Sequence, residues 1–400
     1  MVRSFIRSLC VTTVALSVVG FAGLEQASAA TYQEKLSAYR SAYNAFQVKT
    51  NRYWAEIDRL KDVRTKRRKA GKAFKRKHFV LSQPPKYTGP KRPKNPNAVV
   101  STGKKKKKRS TLPRADDLRA AMREIYGVKL PKYSERDYKY SYALEAQRHG
   151  LTAEQVIGVY ALETGGLGPY DRVSGEIPRM SRKCKVQSYV GRPLSTALGY
   201  FQLLNANTSS TVHGNMKGPE AKRFSTRLRA LAKQNRGKRK RALKAKAKLV
   251  EVINADMKKY IARYSGRKNN WAEFRALGRT KLGRAIHALN LDIDIGPMIQ
   301  VSKLAFVRDY AVRKGLGNVA SDRLELMNLV GYPRGARMLE GEAFYVPTAN
   351  FVKANEIKAN FSVLGDKTVE QSVAKIRRII GKRKEECGSQ EFFKMWKKAS

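Results

Sequence analysis

Residues 151–166 encode a buried helix and mark both of its ends. They read Leu151-Thr152-Ala153-Glu154-Gln155-Val156-Ile157-Gly158-Val159-Tyr160-Ala161-Leu162-Glu163-Thr164-Gly165-Gly166. Thr152 and Gln155 fit a capping box, which predicts that the helix begins at Ala153. Apolar side chains cover most of its surface, so we expect it to be buried, and the two glycines should end it. The pattern therefore predicts Glu163 at the C-terminal end of a buried helix, beside a glycine loop.

The predicted position of Glu163 bears on acid–base chemistry. The negative end of a helix dipole disfavours a carboxylate, and apolar neighbours disfavour it by desolvation. Both effects raise the pKa of a glutamate, which is what a general acid at a glycosidic oxygen requires. The plain structural alternative is a surface glutamate near a helix end.

Three segments in order resemble the motifs of the soluble-type lytic transglycosylases, which are relatives of goose-type lysozyme. The first family motif, a catalytic Glu followed by Ser and two glycines, is matched by Glu163-Thr164-Gly165-Gly166. The second, Gly-Ala-x-Gly-Leu-Met/Phe-Gln, is matched by Thr196-Ala197-Leu198-Gly199-Tyr200-Phe201-Gln202. Thr164 stands in place of Ser, Thr196 in place of Gly, and Tyr200 in place of Leu.

The third family motif, Ala-Tyr-Asn-Ala-Gly, is matched more loosely. The corresponding residues Leu326-Met327-Asn328-Leu329-Val330-Gly331 are one residue longer and lack the Tyr. Before them, Asp294-Ile295-Gly296 resembles the segment that opens a long helix in the family. The resemblance covers about Ser141 to Lys358.

The resemblance implies a helical, lysozyme-like domain that cleaves the glycan strands of peptidoglycan. Glu163 would protonate the bond between N-acetylmuramic acid and N-acetylglucosamine and then, as a base, take a proton from the muramoyl 6-hydroxyl. It implies that Thr164, Gly199, Tyr200, Phe201 and Gln202 belong to the substrate groove, and that Asn328 positions Glu163 or the sugar. For the family's late tyrosine, Tyr345 and Tyr332 are equal candidates.

Two other activities remain open at this stage. Asp171, eight residues after Glu163, would make a two-carboxylate muramidase possible if it reached the groove, although an ordinary loop aspartate is the simpler interpretation. A non-catalytic wall-binding scaffold is the other alternative, because the second and third motifs are altered.

The first 29 residues predict a secretory signal peptide. Arg3 and Arg7 precede an apolar run from Leu9 to Phe21, and Ala27-Ser28-Ala29 has small residues where a signal peptidase cleaves. A membrane anchor is the alternative, but the run is shorter than the ~20 apolar residues of a spanning helix. We therefore expect a periplasmic or otherwise exported protein.

Residues 30–80 and 81–116 are expected to form a helix and a linker. The pattern is helical from Tyr32 to about Lys77. Within it, a heptad seam with alternating spacings of three and four is formed by Leu36, Tyr39, Tyr43, Phe46, Thr50, Tyr53, Ile57 and Leu60, and it ends at Val63. This seam predicts either self-association as a coiled coil or docking within the chain. The linker carries five prolines and the run Lys104–Arg109, which predicts an extended, disordered segment.

Residues 117–366 are expected to form the mainly α lysozyme-like domain. Within it, about 217–279 should be a basic helical insertion with the apolar stripe Leu243, Val250, Ile253 and Met257. Residues 367–400 should form one more basic amphipathic helix or a pair.

The charge and the cysteine and histidine content of the chain limit the kinds of partner and cofactor that we expect. The chain holds 83 Lys+Arg against 32 Asp+Glu, a net charge of +51. After export, such a charge predicts adhesion to anionic envelope surfaces rather than to nucleic acid. Cys184 and Cys387 either pair or remain thiols. The scattered His and Cys have no metal-site spacing, so we expect no metal and no cofactor.

Overall fold

The computed structural model describes the main chain of residues 5–96, 112–181, 185–214, 220–263 and 271–400, with side chains from residue 31 onward except that of residue 220. The fold is mainly helical, as predicted. Two compact units are formed, the first by residues 1–108 and 346–359, and the second by residues 109–345 and 360–400. Residues 346–359, which were expected to belong to the catalytic domain, are therefore part of the first unit.

The elements follow in chain order. The strands are β1 (Glu176–Met180) and β2 (Val186–Gly191). The α-helices are α1 (Phe5–Lys69), α2 (Ala115–Tyr126), α3 (Glu135–Arg148), α4 (Ala153–Thr164), α5 (Asn205–His213), α6 (Glu220–Lys233), α7 (Gly237–Ala262), α8 (Trp271–Arg279), α9 (Lys281–Ala288), α10 (Ile295–Arg313), α11 (Ser321–Val330), α12 (Tyr332–Met338), α13 (Ala354–Ala359), α14 (Phe361–Leu364), α15 (Val369–Lys384) and α16 (Cys387–Ala399).

The long helix α1 buries part of its seam within the first unit. Leu36, Tyr53, Ile57 and Leu60 are at most 9% exposed. Tyr53 and Ile57 pack with Ala349, so the C-terminal part of the seam docks within its own chain. The helix ends at Lys69, earlier than the expected Lys77, and the chain turns at Gly71 with φ +63°. Because only glycine adopts this left-handed conformation readily, the turn is specified at that residue.

Part of the expected linker packs on α1. The Tyr87 ring lies against Tyr39, Tyr43 and Phe46 at centroid distances of 5.5 to 6.1 Å. The hydroxyl of Tyr53 donates to the carbonyl of Ser82 at 3.0 Å. Ser82 and Tyr87 of the expected linker therefore contact α1, where the tyrosine ring supplies apolar area that the segment otherwise lacks. The disorder of the linker as a whole stays a prediction. The run Lys104–Arg109 lies outside the described residues.

The basic insertion is a helical hairpin of α6 and α7, and its predicted apolar stripe is fully buried. Its polar face is anchored by acids. Nζ of Lys246 lies 2.7 Å from Asp292 and 2.6 Å from Asp294, and Arg239 also binds Asp294. Residues 215–219 and 264–270 lie outside the described residues. Two of the insertion's cations thus serve to attach it to the turn that leads into α10.

The C-terminal segment is a pair of helices within the second unit. Helix α15 packs on α4 and α11, and α16 packs on α3 and α4. Phe392 of α16 is fully buried against Tyr142, Tyr160 and Tyr200. Cys387 is disulfide-bonded, whereas Cys184 lies outside the described residues. The segment is therefore part of the core around α4 rather than an appendage.

The hairpin of β1 and β2 has no counterpart in the sequence expectations. The strands are antiparallel, with Glu176 opposite Gly191 and a bulge between Arg179 and Met180. In β1 less exposed residues alternate with exposed ones, but Glu176 is buried and Ile177 is exposed, so the sequence lacks the apolar–polar alternation that marks a half-buried strand. Within the part of the chain that the structure describes, no helical stretch combines the length and apolar character of a membrane span.

Candidate functional site

Helix α4 forms as its sequence predicts. The main-chain N–H of Gln155 donates to Thr152 Oγ1 and the Gln155 side chain accepts from the Thr152 N–H, which completes the capping box. Gly165 ends the helix in the left-handed conformation, with φ +76°. A Cβ at Gly158 would lie 2.3 Å from Oγ of Ser321, so this glycine lets α4 and α11 pack closely. That close packing brings α11 against the residues at the end of α4.

Glu163 lies at this helix end, partly exposed, and accepts a hydrogen bond from α11. Nδ2 of Asn328 donates to Oε1 of Glu163 at 2.9 Å. Burial raises the pKa of Glu163, against the lowering effects of its hydrogen bonds and of the nearby Arg172 and Arg383. The direction agrees with the sequence expectation, since desolvation penalises the charged form.

A second carboxyl group, that of Glu325, faces Glu163 within hydrogen-bonding reach. Glu325 is fully buried on α11, one helical turn before Asn328. Asn328 Nδ2 also lies 3.4 Å from Oε1 of Glu325, so one amide serves both carboxyl groups. Burial and the neighbouring Glu163 charge raise the pKa of Glu325 strongly. The site therefore contains a pair of acids joined by an asparagine.

Two arginines from different elements donate hydrogen bonds to carbonyls at the end of α4. Nη1 of Arg383, on α15, donates to the carbonyl of Leu162 at 2.6 Å. Nη1 of Arg172 donates to the carbonyl of Glu163 at 3.4 Å, while its Nε donates to the main-chain carbonyl of Glu176 of β1 at 2.8 Å. Carbonyls in a last helical turn have no partner within the helix. These guanidinium groups satisfy two of them and place positive charge beside the carboxyl pair.

The segment Thr196–Gln202 forms a tight loop beside Arg172. Gly199 has φ +80° and Gln202 has φ +42°, and a Cβ at Gly199 would lie 2.6 Å from Gln300. The Gln202 amide donates to the carbonyls of Gly199 and Arg172 at 2.8 and 3.3 Å. Gly199 and Gln202 therefore shape the loop next to Arg172, and their expected roles in substrate binding stay predictions.

Tyr200, Phe201 and Thr164 are core residues rather than residues of an open groove. Tyr200 and Phe201 are each 1% exposed, and Thr164 is 3% exposed. The Thr164 hydroxyl donates to the carbonyl of Tyr160 at 2.7 Å, back along its own helix. The expectation that these side chains line the groove is corrected accordingly, because all three are buried and the ring of Tyr200 packs against Phe392 and Tyr142.

The two candidate tyrosines lie in different settings. Tyr345 is 53% exposed and its ring contacts Phe344. Tyr332, at the start of α12, packs edge-on against Phe306 and Tyr310, with Lys303 Nζ 5.3 Å from its ring centroid. Burial lowers the pKa of Lys303 to about 8. Neither hydroxyl is among the groups that contact Glu163 in the described residues.

Asp171 is held in a separate cluster. It accepts hydrogen bonds from Arg119 at 3.2 Å and from the Tyr189 hydroxyl at 2.8 Å. Nearby, Glu135 accepts from the Tyr200 hydroxyl at 2.6 Å and from the Tyr170 N–H at 2.9 Å. Burial raises the pKa of Glu135 to about 7. The carboxyl group that accompanies Glu163 is thus that of Glu325, and Asp171 has other partners.

No protein-family model, curated protein or solved structure matches the chain. The function therefore has to be inferred from the residues around Glu163. Among the described residues, no three His, Cys, Asp or Glu side chains come together as a metal site. The absence of a metal or other cofactor remains a prediction.

Sequence reasoning missed Glu325, Arg172 and Arg383. A signal for Glu325 was present, since Glu325 and Asn328 are three residues apart and must share a helix face. That spacing predicts a carboxyl group and an amide side by side, with no indication of what they contact. The two arginines gave no such signal in a chain with 83 basic residues.

Proposed function

We propose that this protein is an exported lytic transglycosylase that cleaves peptidoglycan glycan strands, with Glu163 as its single acid and base. The observation that carries the proposal is the setting of Glu163. A partly exposed carboxyl at the end of a buried helix has a raised pKa and is held by Asn328. A carboxyl group with a raised pKa is suited to give a proton to a glycosidic oxygen. The domain that carries it is proposed to be lysozyme-like.

The proposed reaction needs one group that acts twice. Glu163 donates its proton to the oxygen that joins C1 of N-acetylmuramic acid to C4 of N-acetylglucosamine, and the C1–O bond breaks. The resulting carboxylate takes the proton of the muramoyl 6-hydroxyl as O6 bonds to C1. The products are a free 4-hydroxyl and a 1,6-anhydro ring, and Glu163 is protonated again. No water is consumed.

The arrangement of carboxyl groups supports one acid–base group rather than two that flank the sugar. In two-carboxylate glycosidases the groups lie about 5 to 9.5 Å apart, with the scissile bond between them. Glu325 is within hydrogen-bonding reach of Glu163, so no sugar fits between them. Asp171 is held by Arg119 and Tyr189. A hydrolytic muramidase would have to use Asp171, and it remains the alternative enzyme.

A non-catalytic wall-binding scaffold is the second candidate. The burial of Tyr200 and Phe201 favours it, because the second motif then offers no aromatic surface for stacking on sugars. On this interpretation the fold would grip the glycan without cutting it, and Glu163 would be a structural acid.

The proposed setting is the periplasm or outer cell envelope, reached through residues 1–29. The proposed partners are glycan strands and anionic envelope surfaces, with no role for nucleic acid. Exposed cations of α7, such as Lys240, Arg241 and Lys244, support electrostatic adhesion. Self-association is also proposed for the N-terminal part of the α1 seam, where Tyr43 is 38% exposed.

The deciding experiment is mass spectrometry of soluble products from purified sacculi treated with the mature protein. Glu163→Gln keeps the size of the side chain and cannot donate or accept the proton, and Glu154→Gln on the same helix is the matched control. We expect 1,6-anhydro-muropeptides from the unmodified protein and the control, and none from Glu163→Gln. Reducing-end products would indicate a hydrolase and direct attention to Asp171. No release by any of the three would favour the scaffold.

A further inference from the structure

We infer that Glu163 and Glu325 hold a single proton between them and that Glu325 is the positioning residue that stores it. This inference deepens the proposed function and rests on it for its catalytic meaning. Glu325 is fully buried, and its Oε2 has no hydrogen-bond donor among the described residues. Two ionised carboxylates cannot hydrogen-bond to each other, whereas one proton joins them.

Asn328 indicates where the charge rests. Its amide is nearer to Oε1 of Glu163, at 2.9 Å, than to Oε1 of Glu325, at 3.4 Å. Glu163 is partly exposed, and a fully buried carboxylate is the costlier of the two to ionise. The resting pair therefore has its proton on Glu325 and its negative charge on Glu163, where Asn328 donates.

The elements packed around the pair carry several other charged groups. They are Arg172 in the loop after α4, Arg383 on α15, the Asp322–Arg377 ion pair between α11 and α15, the Glu154–Lys384 ion pair between α4 and α15, and Lys303 against Tyr332 between α10 and α12. Arg172 and Arg383 are the cations that act on Glu163. Their charge favours a pair with one negative charge, and burial opposes a second.

The shared proton suits both steps of the proposed reaction. For the acid step, the pair adopts the arrangement with the proton on Glu163, and the charge moves to Glu325. Once Glu163 has protonated the leaving oxygen, two carboxylates face each other, which makes Glu163 a stronger base. It then takes the 6-hydroxyl proton, and the pair returns to one proton and one charge. Glu325 touches no substrate and acts only through Glu163.

The test is a carboxyl titration by nuclear magnetic resonance on the full mature protein with 13C-labelled glutamate, which needs no substrate. In the unmodified protein the pair should keep one proton well above the ordinary glutamate range. In Glu325→Gln, the pKa of Glu163 should lie at least about one pH unit below the pH at which the pair in the unmodified protein loses its last proton. The reason is that the neighbouring charge is gone. Glu163→Gln should likewise lower the pH at which Glu325 ionises. Glu154→Gln should change neither.

The titration separates this inference from the proposed function. If each carboxyl group titrates at the same pH whether or not the other is present, the shared proton is overturned even if the protein cleaves sacculi. If the titrations shift as expected but sacculi are not cleaved, the pair stands and the proposed enzyme does not. For an active enzyme, the alkaline limit of kcat/KM should also move to lower pH in Glu325→Gln. An unmoved limit with unchanged kcat would assign Glu325 a structural role only.

Discussion

Asn328 and Glu163 are 165 residues apart in the chain, and the amide of the first donates to the carboxyl of the second at 2.9 Å. This bond crosses the contact between α11 and α4, which Gly158 makes possible by letting the two helices approach. The contact places the only polar side chain that bridges both acids of the described site at the end of α4. The position of Glu163 therefore depends on helix packing as well as on its own helix.

The first prediction concerns this bond. Asn328→Ala should lower the kcat of glycan release about tenfold to a hundredfold, since a hydrogen bond to a charged group contributes about 1.5 to 3 kcal/mol. The pKa of Glu163 should rise further, because the bond favours its ionised form. Product release from sacculi measures the rate. Asn355→Ala, at an exposed asparagine, is the control, and equal rates for the two variants would contradict the assigned role of Asn328.

A second prediction concerns the attachment of the basic hairpin. Lys246→Met should lower the free energy of unfolding by about 3 kcal/mol or more, because Asp292 and Asp294 are 1% and 7% exposed and would lose a buried partner. Urea unfolding followed by circular dichroism measures this. Lys248→Met removes an exposed charge from the same helix and should change stability little. If Lys246→Met were as stable as that control, the ion pairs of Lys246 with Asp292 and Asp294 would not contribute to stability.

A third prediction is a pH dependence of stability from Glu135. Burial raises its pKa to about 7 in the folded chain, above the value of an unfolded glutamate. Its contribution is thus fully present in acid and is lost as pH rises through about 7. Glu135→Gln should flatten this decline, by on the order of 2 kcal/mol between pH ~5 and ~8.

Unfolding by urea at several pH values measures the contribution of Glu135. Glu370→Gln, at an exposed glutamate of α15, is the control and should follow the unmodified protein. Parallel pH curves for unmodified protein and Glu135→Gln would show that Glu135 is not protonated in the neutral range.

The fourth prediction concerns adhesion to the wall. Sedimentation with purified sacculi should fall steeply as salt rises, because exposed charges are screened within about 10 Å at 0.1 M ionic strength. Replacing Lys240, Arg241 and Lys244 of α7 by Gln should weaken both the binding and its dependence on salt. A control with equal total charge replaces the exposed Lys382, Lys394 and Lys397. If both triple variants bind alike, net charge and not α7 governs adhesion, and salt-independent binding would remove the electrostatic explanation.

The sequence was informative wherever a structure is determined by neighbouring residues. The capping box at Thr152 and the glycine stop after Thr164 are observed as predicted, because caps and helix periodicity involve residues within one or two turns. The apolar stripe of α7 was predicted for the same reason, and it is fully buried. The direction of the Glu163 pKa shift followed from the apolar helix around it.

The sequence alone determined a mainly helical chain and one buried helix that ends at an acid. Only the tertiary structure decided that Glu325 and Asn328 meet this acid, that Tyr200 and Phe201 point into the core, and that residues 346–359 join α1. Those outcomes depend on which helix faces compete for the same buried space. Because that competition is settled by packing between residues far apart in the chain, periodicity and capping carry no information about it.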